Sequence, residues 1–510
     1  MAYLLGLDIG TTSIKAAVYD TEMGKVWRVA SQPTPIDHPL ADRSEHDPQA
    51  LWEAVLNCIR EAASGLPVAG LAISSMAEAG LLIDEQGRPA SPLIAWYDRR
   101  SEPQAGQIEA MLSLERLYQI TGQRASPSFG ATKLLWLREN LPDEYRRGRV
   151  WLPVPAYVLY RLSGQMAVDY TIAARTLLFD QNTLNWSPEI LETLGFPPAL
   201  LPPAHVGGSP VGKITPAAAQ ASGLPTSTVC VLGGHDHLCA ALATGASEFG
   251  ALADSTGSAS ALMMLLPRFL DHPSLAEQGY ACYAYLLKER FVLKGGLKAA
   301  GNALEWLARL LSSGGSPDYS ALEQAASTGI GRRAGPLWLP HLIGSGTPQG
   351  DRYSRAALVG TQFEHNRGDL FRGMLESLAC WLRHNLEEMQ TLTGLEPTSV
   401  ILTGGATRLN LLSQLKANIL NRPVRVPSLP EAAATGAALL AGLGAGIFLS
   451  AEDALSSLRY DTIQFEPDPH HTDWYDQLYH TVYAPLYQAL QPVNAALEQM
   501  NKSGPGIPDS

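Results

Sequence analysis

The chain has 510 residues, too many for one hydrophobic core, so two or more domains are expected. Its 49 acidic and 37 basic side chains give a formal net charge of −12, which argues against nucleic-acid partners and anionic membrane surfaces. Apolar residues make up 46% and charged residues 17%, values typical of a soluble globular protein rather than a disordered one.

Cysteine use and hydropathy predict a cytoplasmic protein. The five cysteines are scattered singly and none forms a C-x-x-C pair, which indicates reduced, mostly buried thiols. The apolar N-terminal run meets Asp8 at once and lacks the basic start of a signal peptide. No stretch of about 18 apolar residues predicts a membrane span.

The first predicted element is a β-hairpin. Residues 3–9 and 14–19 have the pattern of strands, and Gly-Thr-Thr-Ser at 10–13 forms the turn between them. The N–H and O–H groups of such a turn can surround a phosphate, and Asp8 can hold Mg²⁺ through water. An ordinary glycine turn with an Asx hydrogen bond is the alternative.

Carboxylates follow two later strands. A buried strand at 68–74 precedes Glu78, and the apolar residues 93–95 precede Trp96 and Asp98. Ligands of α/β proteins gather at the carboxyl ends of strands, so these side chains are candidate substrate contacts. The alternatives are solvated strand ends for the carboxylates and core packing for the tryptophan.

Residues 207–213 (GGSPVGK) imitate a phosphate-binding P-loop up to its lysine. Ile214 stands where the Ser or Thr that would reach Mg²⁺ is needed, Pro210 interrupts the loop, and no strand precedes it. We therefore do not predict a P-loop.

The most informative stretch begins with a buried strand at 228–232. Gly233 and Gly234 predict a sharp turn into a helix, because glycine tolerates positive φ cheaply. Asp236 would then lie at the mouth of the helix, where its carboxylate can accept a proton from a substrate hydroxyl.

Two other roles are open for these residues. An Asp at this place can simply cap the helix. His235 and His237 could bind a metal, although their i, i+2 spacing suits a strand better than a helix and no further ligand set stands nearby in the sequence.

The hairpin pattern returns after Gly250. Residues 251–254, 255–258 (Ser-Thr-Gly-Ser) and 261–266 again predict strand, hydroxyl-rich turn and strand. Two such hairpins predict an internal duplication in which each holds one side of a polyphosphate. Further on, a strand at 399–402 ends in a glycine turn on which a flat base could lie.

These motifs, in this order, resemble the FGGY family of carbohydrate kinases within the actin/hexokinase/Hsp70-like ATPase superfamily. The resemblance runs from Leu4 to about Gly446 and rests on LGLDIGTTSIKA, AWYDRR, ATKLLWL, GGHDHLCAAL, DSTGSA, TGGATRLNLLSQLKANIL and EAAATGAALLA. It implies an α/β fold of two RNase H-like domains with an interdomain cleft. The expected units are an N-terminal sugar-binding domain (1–248), a C-terminal nucleotide-binding domain (249–460), a C-terminal helix (461–500) and a flexible tail (501–510).

The resemblance also implies ATP and Mg²⁺ as cofactors and a small sugar or polyol as substrate. Asp236 matches the family's catalytic base, and Asp8 is the expected metal contact. The expected ATP contacts are Thr11, Thr12, Ser13, Lys15, Gly257, Ser258, Gly301, Glu305, Gly405 and Asn410. The expected substrate contacts are Met76, Ala77, Glu78, Trp96, Asp98 and His237.

The substrate positions differ from those of glycerol kinases. Ala77 replaces their Arg, Ser128 replaces a Tyr, and His237 replaces the Gln after the catalytic Asp. Two large side chains thus become small, which leaves room for a longer substrate. Xylulose kinases place a Met-His pair near Met76, so a ketopentose such as xylulose is the predicted substrate. The enzyme alternatives are kinases for another polyol, ketose or sugar acid, of the glycerol, erythritol or gluconate type.

Two alternatives belong to other classes. A sugar-responsive regulator with this fold would not need to retain Asp8, Asp236 and both hairpins. An actin- or chaperone-like ATPase would not need Asp236. We therefore predict a kinase with no nucleic-acid or membrane partner, and a homodimer is compatible with these observations.

Overall fold

The computed structural model describes residues 2–40, 42–63, 65–312, 316–330 and 335–503. The strands of the first half are β1 (Tyr3–Ile9), β2 (Ser13–Asp20), β3 (Lys25–Pro33), β4 (Glu45–His46), β5 (Val68–Ser75), β6 (Gly80–Ile83), β7 (Leu93–Ile94), β8 (Val150–Pro153), β9 (Val168–Asp169), β10 (Phe179–Asp180), β11 (Asn185–Trp186), β12 (Ala204–His205), β13 (Pro210–Lys213) and β14 (Val229–His235). Its helices are α1 (Pro48–Ala63), α2 (Glu102–Met111), α3 (Leu114–Thr121), α4 (Gly130–Asn140), α5 (Pro142–Arg147), α6 (Val154–Ser163), α7 (Tyr170–Ala174), α8 (Pro188–Leu194), α9 (Pro216–Ser222) and α10 (Asp236–Ala243).

The second half is built in the same alternating manner. Its strands are β15 (Ala251–Thr256), β16 (Ser260–Leu266), β17 (Ala281–Ala284), β18 (Phe291–Leu297), β19 (Leu337–Leu339), β20 (Ala357–Val359), β21 (Ser399–Thr403), β22 (Val424–Pro427) and β23 (Thr462–Phe465). Its helices are α11 (Pro273–Glu277), α12 (Gly301–Leu311), α13 (Tyr319–Ser327), α14 (Arg367–Thr393), α15 (Asn410–Leu420), α16 (Ala432–Gly444), α17 (Ala451–Ser456), α18 (Pro469–Leu478) and α19 (Ala484–Ser503).

Two large sheets carry the same strand order. The first runs β3-β2-β1-β5-β14-β13, and the second runs β18-β16-β15-β21-β22-β23 with β17 added outside β18. In the first sheet, β1 and β2 form an antiparallel hairpin, β5 and β14 run parallel to β1, and β13 is antiparallel to β14. In the second sheet, β15 and β16 form the hairpin, β21 and β22 run parallel to β15, and β23 is antiparallel to β22. The internal duplication predicted from the two hairpins is therefore confirmed strand by strand, and the α/β fold class with it.

Apolar periodicity explains how helices cover these sheets. On α1, Leu51, Val55 and Ile59 recur at helical spacing and are fully buried in the core of the first half. The long helix α14 contributes Phe371, Leu375 and further apolar residues to the core of the second half. Each half therefore has its own hydrophobic core.

Helix α16 joins the two halves, because it belongs to the second half in sequence but packs on the first sheet. A Cβ at Gly6 would lie 1.8 Å from the carbonyl oxygen of Ala434 on this helix. A Cβ at Gly436 would lie 2.0 Å from the carbonyl oxygen of Cys239 on α10. Glycine at both positions lets backbones approach closely where the halves meet.

The predicted turn at Gly233 and Gly234 is wrong. Both residues lie inside β14, and neither has a left-handed backbone. A Cβ at Gly233 would lie 2.1 Å from the carbonyl oxygen of Ile73, and one at Gly234 would lie 2.2 Å from Leu286. Close packing of neighbouring groups therefore requires these glycines, and the chain passes directly from strand to helix.

The end of the chain also differs from expectation. The C-terminal helix expected at 461–500 is instead strand β23 followed by α18 and α19, which are joined by a π-helical turn at Tyr479–Tyr483. Helix α19 continues to Ser503, so the first residues of the expected flexible tail are helical, and 504–510 lie outside the described residues.

All five cysteines are free and buried, as predicted. In the described ranges, no helix is both long and apolar enough to cross a membrane.

Candidate active site

A cleft of about 720 Å³ opens between the two halves. The residues that line it from the first half are Thr11, Met76, Ala77, Glu78, Trp96, Arg175, His235, Asp236 and His237. The second half contributes the turn of the second hairpin (257–259), one end of β18 and parts of 346–350. The structure thus brings six predicted substrate or catalytic positions to one surface, opposite Gly257 and Ser258.

Asp236 is the first residue of α10, directly after β14. Its Oδ1 accepts a hydrogen bond from the His237 N–H at 2.6 Å and lies 3.3 Å from His235 Nε2. The residue in the N-cap position is His235, whose side chain makes no capping bond. The Asp236 carboxylate, with its side chain 28% exposed, lines the cleft while its Oδ1 accepts this first-turn N–H of α10.

Glu78 and Arg175 form a fixed ion pair at one end of the cleft. Arg175 donates from Nε to Glu78 Oε1 at 2.7 Å, makes a second bond from Nη2, and also contacts Gln123. Burial opposes ionisation of Glu78, but Arg175 and Lys294 outweigh it, so the pKa of Glu78 lies below its usual value. Glu78 is therefore an ionised, oriented acceptor.

The two histidines beside Asp236 carry low pKa values. Burial, followed by Lys294, lowers the pKa of His235 well below its usual value. Asp236 favours the charged form of His237, but burial and Lys294 together lower that pKa as well. Both rings are therefore neutral hydrogen-bonding groups near pH 7.

The geometry around these histidines suits a metal ion better than their i, i+2 spacing in the sequence predicts. Ligand atoms of His235, Asp236 and His237 all lie within 4.8 Å of one another. However, two cations, Arg175 and Lys294, face the same histidines and lower their pKa values. Because those charges repel a metal cation, we assign no metal here.

Asp8 lies at the other end of the site, on β1 opposite Lys15 of β2. Ser74 Oγ donates to Asp8 Oδ1 at 3.2 Å. Burial, followed by the charge of Asp236, raises the pKa of Asp8 to about 7. Lys15 forms a 2.8 Å ion pair with Glu431. Two carboxylates and a paired lysine therefore surround the first hairpin.

The first turn is organised from the cleft side. Trp96 Nε1 donates to Thr11 Oγ1 at 2.8 Å, so this indole is neither core nor free. Thr12 is exposed, and Ser13 begins β2, with its carbonyl accepting from the Gly10 N–H at 3.0 Å. The turn therefore leaves hydroxyls and N–H groups open to a ligand.

The second turn contacts the start of α12. Gly301 N–H donates to the Gly257 carbonyl at 2.9 Å, and Asn302 N–H donates to the Ser258 carbonyl at 3.1 Å. A Cβ at Gly301 would lie 2.2 Å from the Gly257 oxygen, so only glycine allows this contact. Three of the expected nucleotide contacts are thus adjacent in space.

The carboxylates of the two hairpins differ in their partners. Asp254, the counterpart of Asp8 in the duplicated sheet, accepts from Lys416 Nζ at 2.6 Å and from Ser260 Oγ at 2.8 Å. Among the described residues, the Ser74 hydroxyl is the only side chain that hydrogen-bonds to Asp8. The duplicated scaffold therefore presents one neutralised and one uncompensated carboxylate.

Asp98 is not a cleft residue, in contrast to expectation. It is buried, and its oxygens accept from Arg100 Nε at 2.8 Å and from the Ser44 N–H at 2.6 Å. This ion pair uses its carboxylate to hold the loop after β7. Ser128, one of the two positions read as enlarging the pocket, is likewise not part of the cleft lining.

Seven of the ten expected nucleotide contacts lie outside the cleft lining, namely Thr12, Ser13, Lys15, Gly301, Glu305, Gly405 and Asn410. Glu305 forms an ion pair with Arg309 on the exposed side of α12. Gly405 and Asn410 are exposed at and after the 3₁₀ turn Gly405–Arg408. This turn remains close to the second hairpin, because a Cβ at Gly404 would lie 2.5 Å from the Thr256 carbonyl.

Three charged residues of the site escaped sequence reasoning. Arg175 follows the short helix α7 without any local motif, and Glu431 meets Lys15 only through the packing of α16. Lys294 had a usable signal, since it is a lone cation within the otherwise uncharged strand β18. A charge inside such a strand is a candidate for function.

Comparison with known proteins agrees with this site. The models of the FGGY family of carbohydrate kinases match residues 3–243 (N-terminal domain) and 253–445 (C-terminal domain). The chain therefore belongs to the FGGY family, and it is a carbohydrate kinase.

Individual relatives differ in the substrates that they are named for. A xylulose kinase of Bacillus subtilis is 26% identical over 99% of this chain and 100% of its own. A glycerol kinase of Janthinobacterium sp. is 30% identical over 91% of this chain and 94% of its own. The crystal structure of xylulose kinase from Rhodospirillum rubrum superposes with a TM-score of 0.88 at 27% identity, covering 97% of this chain and 100% of that one.

Proposed function

We propose that the protein transfers the γ-phosphoryl group of ATP to a hydroxyl of a small open-chain sugar, with Asp236 as the general base. A ketopentose such as xylulose is the substrate that we favour. The proposal rests on the kinase family and on the arrangement of charges around Asp236.

The position of Asp236 between two sets of charged residues carries the proposal. Its charge raises the pKa of Asp8 at the hairpin end and opposes the lowered pKa of Lys294 at the other end. The charges of Lys15 and Glu431 affect the pKa of Asp8, whereas those of Glu78 and Arg175 affect the pKa of Lys294. A base placed between a phosphate end and a sugar end can reach the hydroxyl that attacks the phosphorus.

Apart from a general base, phosphoryl transfer requires few chemical groups from the protein. Phosphoryl transfer is accelerated mainly by positioning and by stabilising charge on the phosphate oxygens. The exposed hydroxyls and N–H groups of the two hairpin turns would hold the phosphates, and Asp236 would accept the proton of the attacking hydroxyl. Closure of the two halves would exclude water that could otherwise take the phosphoryl group.

The residues present fit a magnesium ion at the hairpin end. Mg²⁺ prefers carboxylate oxygens and water, and Asp8 and Asp236 offer two carboxylates that lie close enough for the charge of Asp236 to raise the pKa of Asp8. Mg²⁺ would supply neutralisation of the phosphate charge when bound. Asp8 would bind the ion as a carboxylate, so any proton on Asp8 would be released to solvent when the ion binds.

The shape of the sugar end supports a substrate longer than glycerol. Ala77 lines the cleft with a small side chain next to Met76 and Glu78, as the sequence comparison with glycerol kinases implied. Ser128 adds nothing to this space. The proposal of a ketopentose substrate therefore rests on Ala77, Met76 and the cleft volume.

A substrate screen tests the proposal. ADP release would be measured with D-xylulose, D-ribulose, glycerol, erythritol and gluconate, and the phosphorylated position would be identified by ³¹P NMR. We expect a ketopentose to give the highest kcat/KM, and Ala77→Arg to lower that value more than the value for glycerol. Glycerol as the best substrate of the native protein would contradict the substrate assignment, and no sugar-dependent ADP release would contradict the kinase.

A further inference from the structure

Lys294 is a cation that lines the cleft. It lies on β18, and all residues from Lys294 to Lys298, just beyond the end of that strand, line the cleft. Within the described ranges, no hydrogen bond or ion pair reaches its ammonium group. A half-buried ammonium without a counter-charge is costly unless a ligand supplies acceptors.

The strand register places Lys294 away from the phosphates. Ser260, next to the turn of the second hairpin, pairs with Leu297, whereas Lys294 pairs with Met263. Three residues of strand correspond to about 10 Å, so Lys294 lies about that far from the turn. Lys298, at the end of the strand, is the lysine nearer the phosphate-binding turn.

The charged neighbours of Lys294 point the same way. The charged groups that most affect its pKa are Arg175, Glu78 and Asp236. Arg175 and Glu78 neutralise each other in their ion pair. Beside that neutral pair, the second half presents the Lys294 ammonium, and Asp236 is the remaining negative charge that acts on it.

We propose that Lys294 determines substrate specificity by binding an acceptor-only oxygen, a carbonyl or carboxylate, at the oxidised carbon of an open-chain sugar. The inference rests on the proposed function and narrows its substrate class. The kinase acts on ketoses or sugar acids in preference to the polyols of equal length.

Hydrogen-bond chemistry gives the reason. An ammonium has three donors and no acceptor, so it matches an oxygen that carries only lone pairs. A polyol hydroxyl in the same place brings a proton that needs an acceptor of its own, whereas the Lys294 ammonium supplies donors only. A site built for one polar group rejects an analogue that leaves groups unpaired.

The experiment compares three five-carbon compounds that differ at the oxidised carbon: D-xylulose, D-xylonate and xylitol. Steady-state kcat/KM and, without nucleotide, calorimetric Kd would be measured for the native protein, Lys294→Met and Lys294→Gln. Lys288→Met is the matched control, since Lys288 is on the same half with its side chain 82% exposed.

We expect the native protein to prefer xylulose or xylonate over xylitol by at least about tenfold, and Lys294→Met to remove most of that preference while changing xylitol less than about threefold. The compound whose affinity falls further identifies the carbonyl or the carboxylate as the group that is bound. Lys288→Met should leave all three unchanged.

Equal losses for all three compounds, or a change confined to the KM for ATP, would overturn the role of Lys294 while leaving the kinase assignment intact. Native protein that binds neither xylulose nor xylonate better than xylitol would also overturn it. Failure of the proposed function itself would be distinct, because no compound would then cause ADP release.

Discussion

Lys15 and Glu431 form a 2.8 Å ion pair although they are 416 residues apart in the chain. Lys15 follows the first hairpin turn on β2, and Glu431 immediately precedes α16 with a left-handed backbone (φ 53°). The packing of α16 on the first sheet thus brings a carboxylate of the second half to a lysine expected to meet phosphate. In the absence of nucleotide, Glu431 neutralises that lysine.

Replacing Glu431 should therefore strengthen nucleotide binding. Glu431→Gln frees Lys15, and a partly exposed ion pair is worth up to about 1 kcal/mol, so the Kd for ADP should fall by up to about fivefold. Calorimetry in EDTA would separate this effect from any cation. Glu396→Gln, at a surface pair with Arg422, is the control. Weaker ADP binding by Glu431→Gln would contradict the competition.

The two hairpin turns should hold the phosphates from opposite sides. Thr12→Ala and Ser258→Ala each remove a hydroxyl that would bond a charged oxygen, so each should raise the Kd for ATP about tenfold. Sugar affinity should stay within about twofold of native in both. Thr472→Ala, on the surface of α18, controls for loss of a hydroxyl elsewhere. Unchanged ATP affinity in both variants would refute the two-sided phosphate site.

Local chemistry explains which parts of this site the sequence predicted. The hairpin turns and the place of Asp236 after a strand depend on neighbours in the chain, and the structure has them as expected. The turn predicted at the glycines before Asp236 is wrong because the groups that crowd them, the Ile73 backbone at Gly233 and the Leu286 side chain at Gly234, lie far away in sequence. Asp98 was misassigned because the Ser44 N–H engages its carboxylate.

The contact between α10 and α16 should be intolerant of a side chain. Gly436→Ala would place its Cβ 2.0 Å from the Cys239 carbonyl, and a backbone atom cannot give way without moving the helices. Thermal unfolding should show a lower Tm by several degrees, corresponding to about 1–3 kcal/mol.

Gly106 on α2 provides the control for this prediction. Nothing lies within 4 Å of a Cβ at Gly106, so Gly106→Ala should leave stability equal or raise it by up to about 1 kcal/mol. Equal Tm values for the two alanine variants would mean that the halves do not depend on the close approach at Gly436.

Sugar binding should weaken at alkaline pH through Lys294. Burial, followed by Arg175, lowers its pKa to about 8, against the opposing effects of Glu78 and Asp236. The ammonium is therefore lost as pH rises through 8, and the affinity that it supplies is present below that pH and lost above it. The ionisable groups facing Lys294 are Glu78, Arg175, Asp236, His235 and His237.

Glu78, Arg175 and the two histidines do not explain a change at this pH. The pKa values of Glu78, His235 and His237 are all lowered, and that of Arg175 is raised, so their charges are constant above pH 7. Calorimetric titration of the better five-carbon ligand at pH 7, 8 and 9 should show affinity falling in the native protein and a flat profile in Lys294→Met. A parallel fall in both would assign the titration to another group.

The role of Asp236 is tested most directly by Asp236→Asn, which keeps the size of the side chain and removes its ability to accept a proton. We expect kcat with the best sugar to fall by at least about 10²-fold, while the calorimetric Kd values for ATP and sugar stay within a few-fold of native. A variant that binds both ligands and turns over at a near-native rate would contradict the assignment of Asp236 as the base.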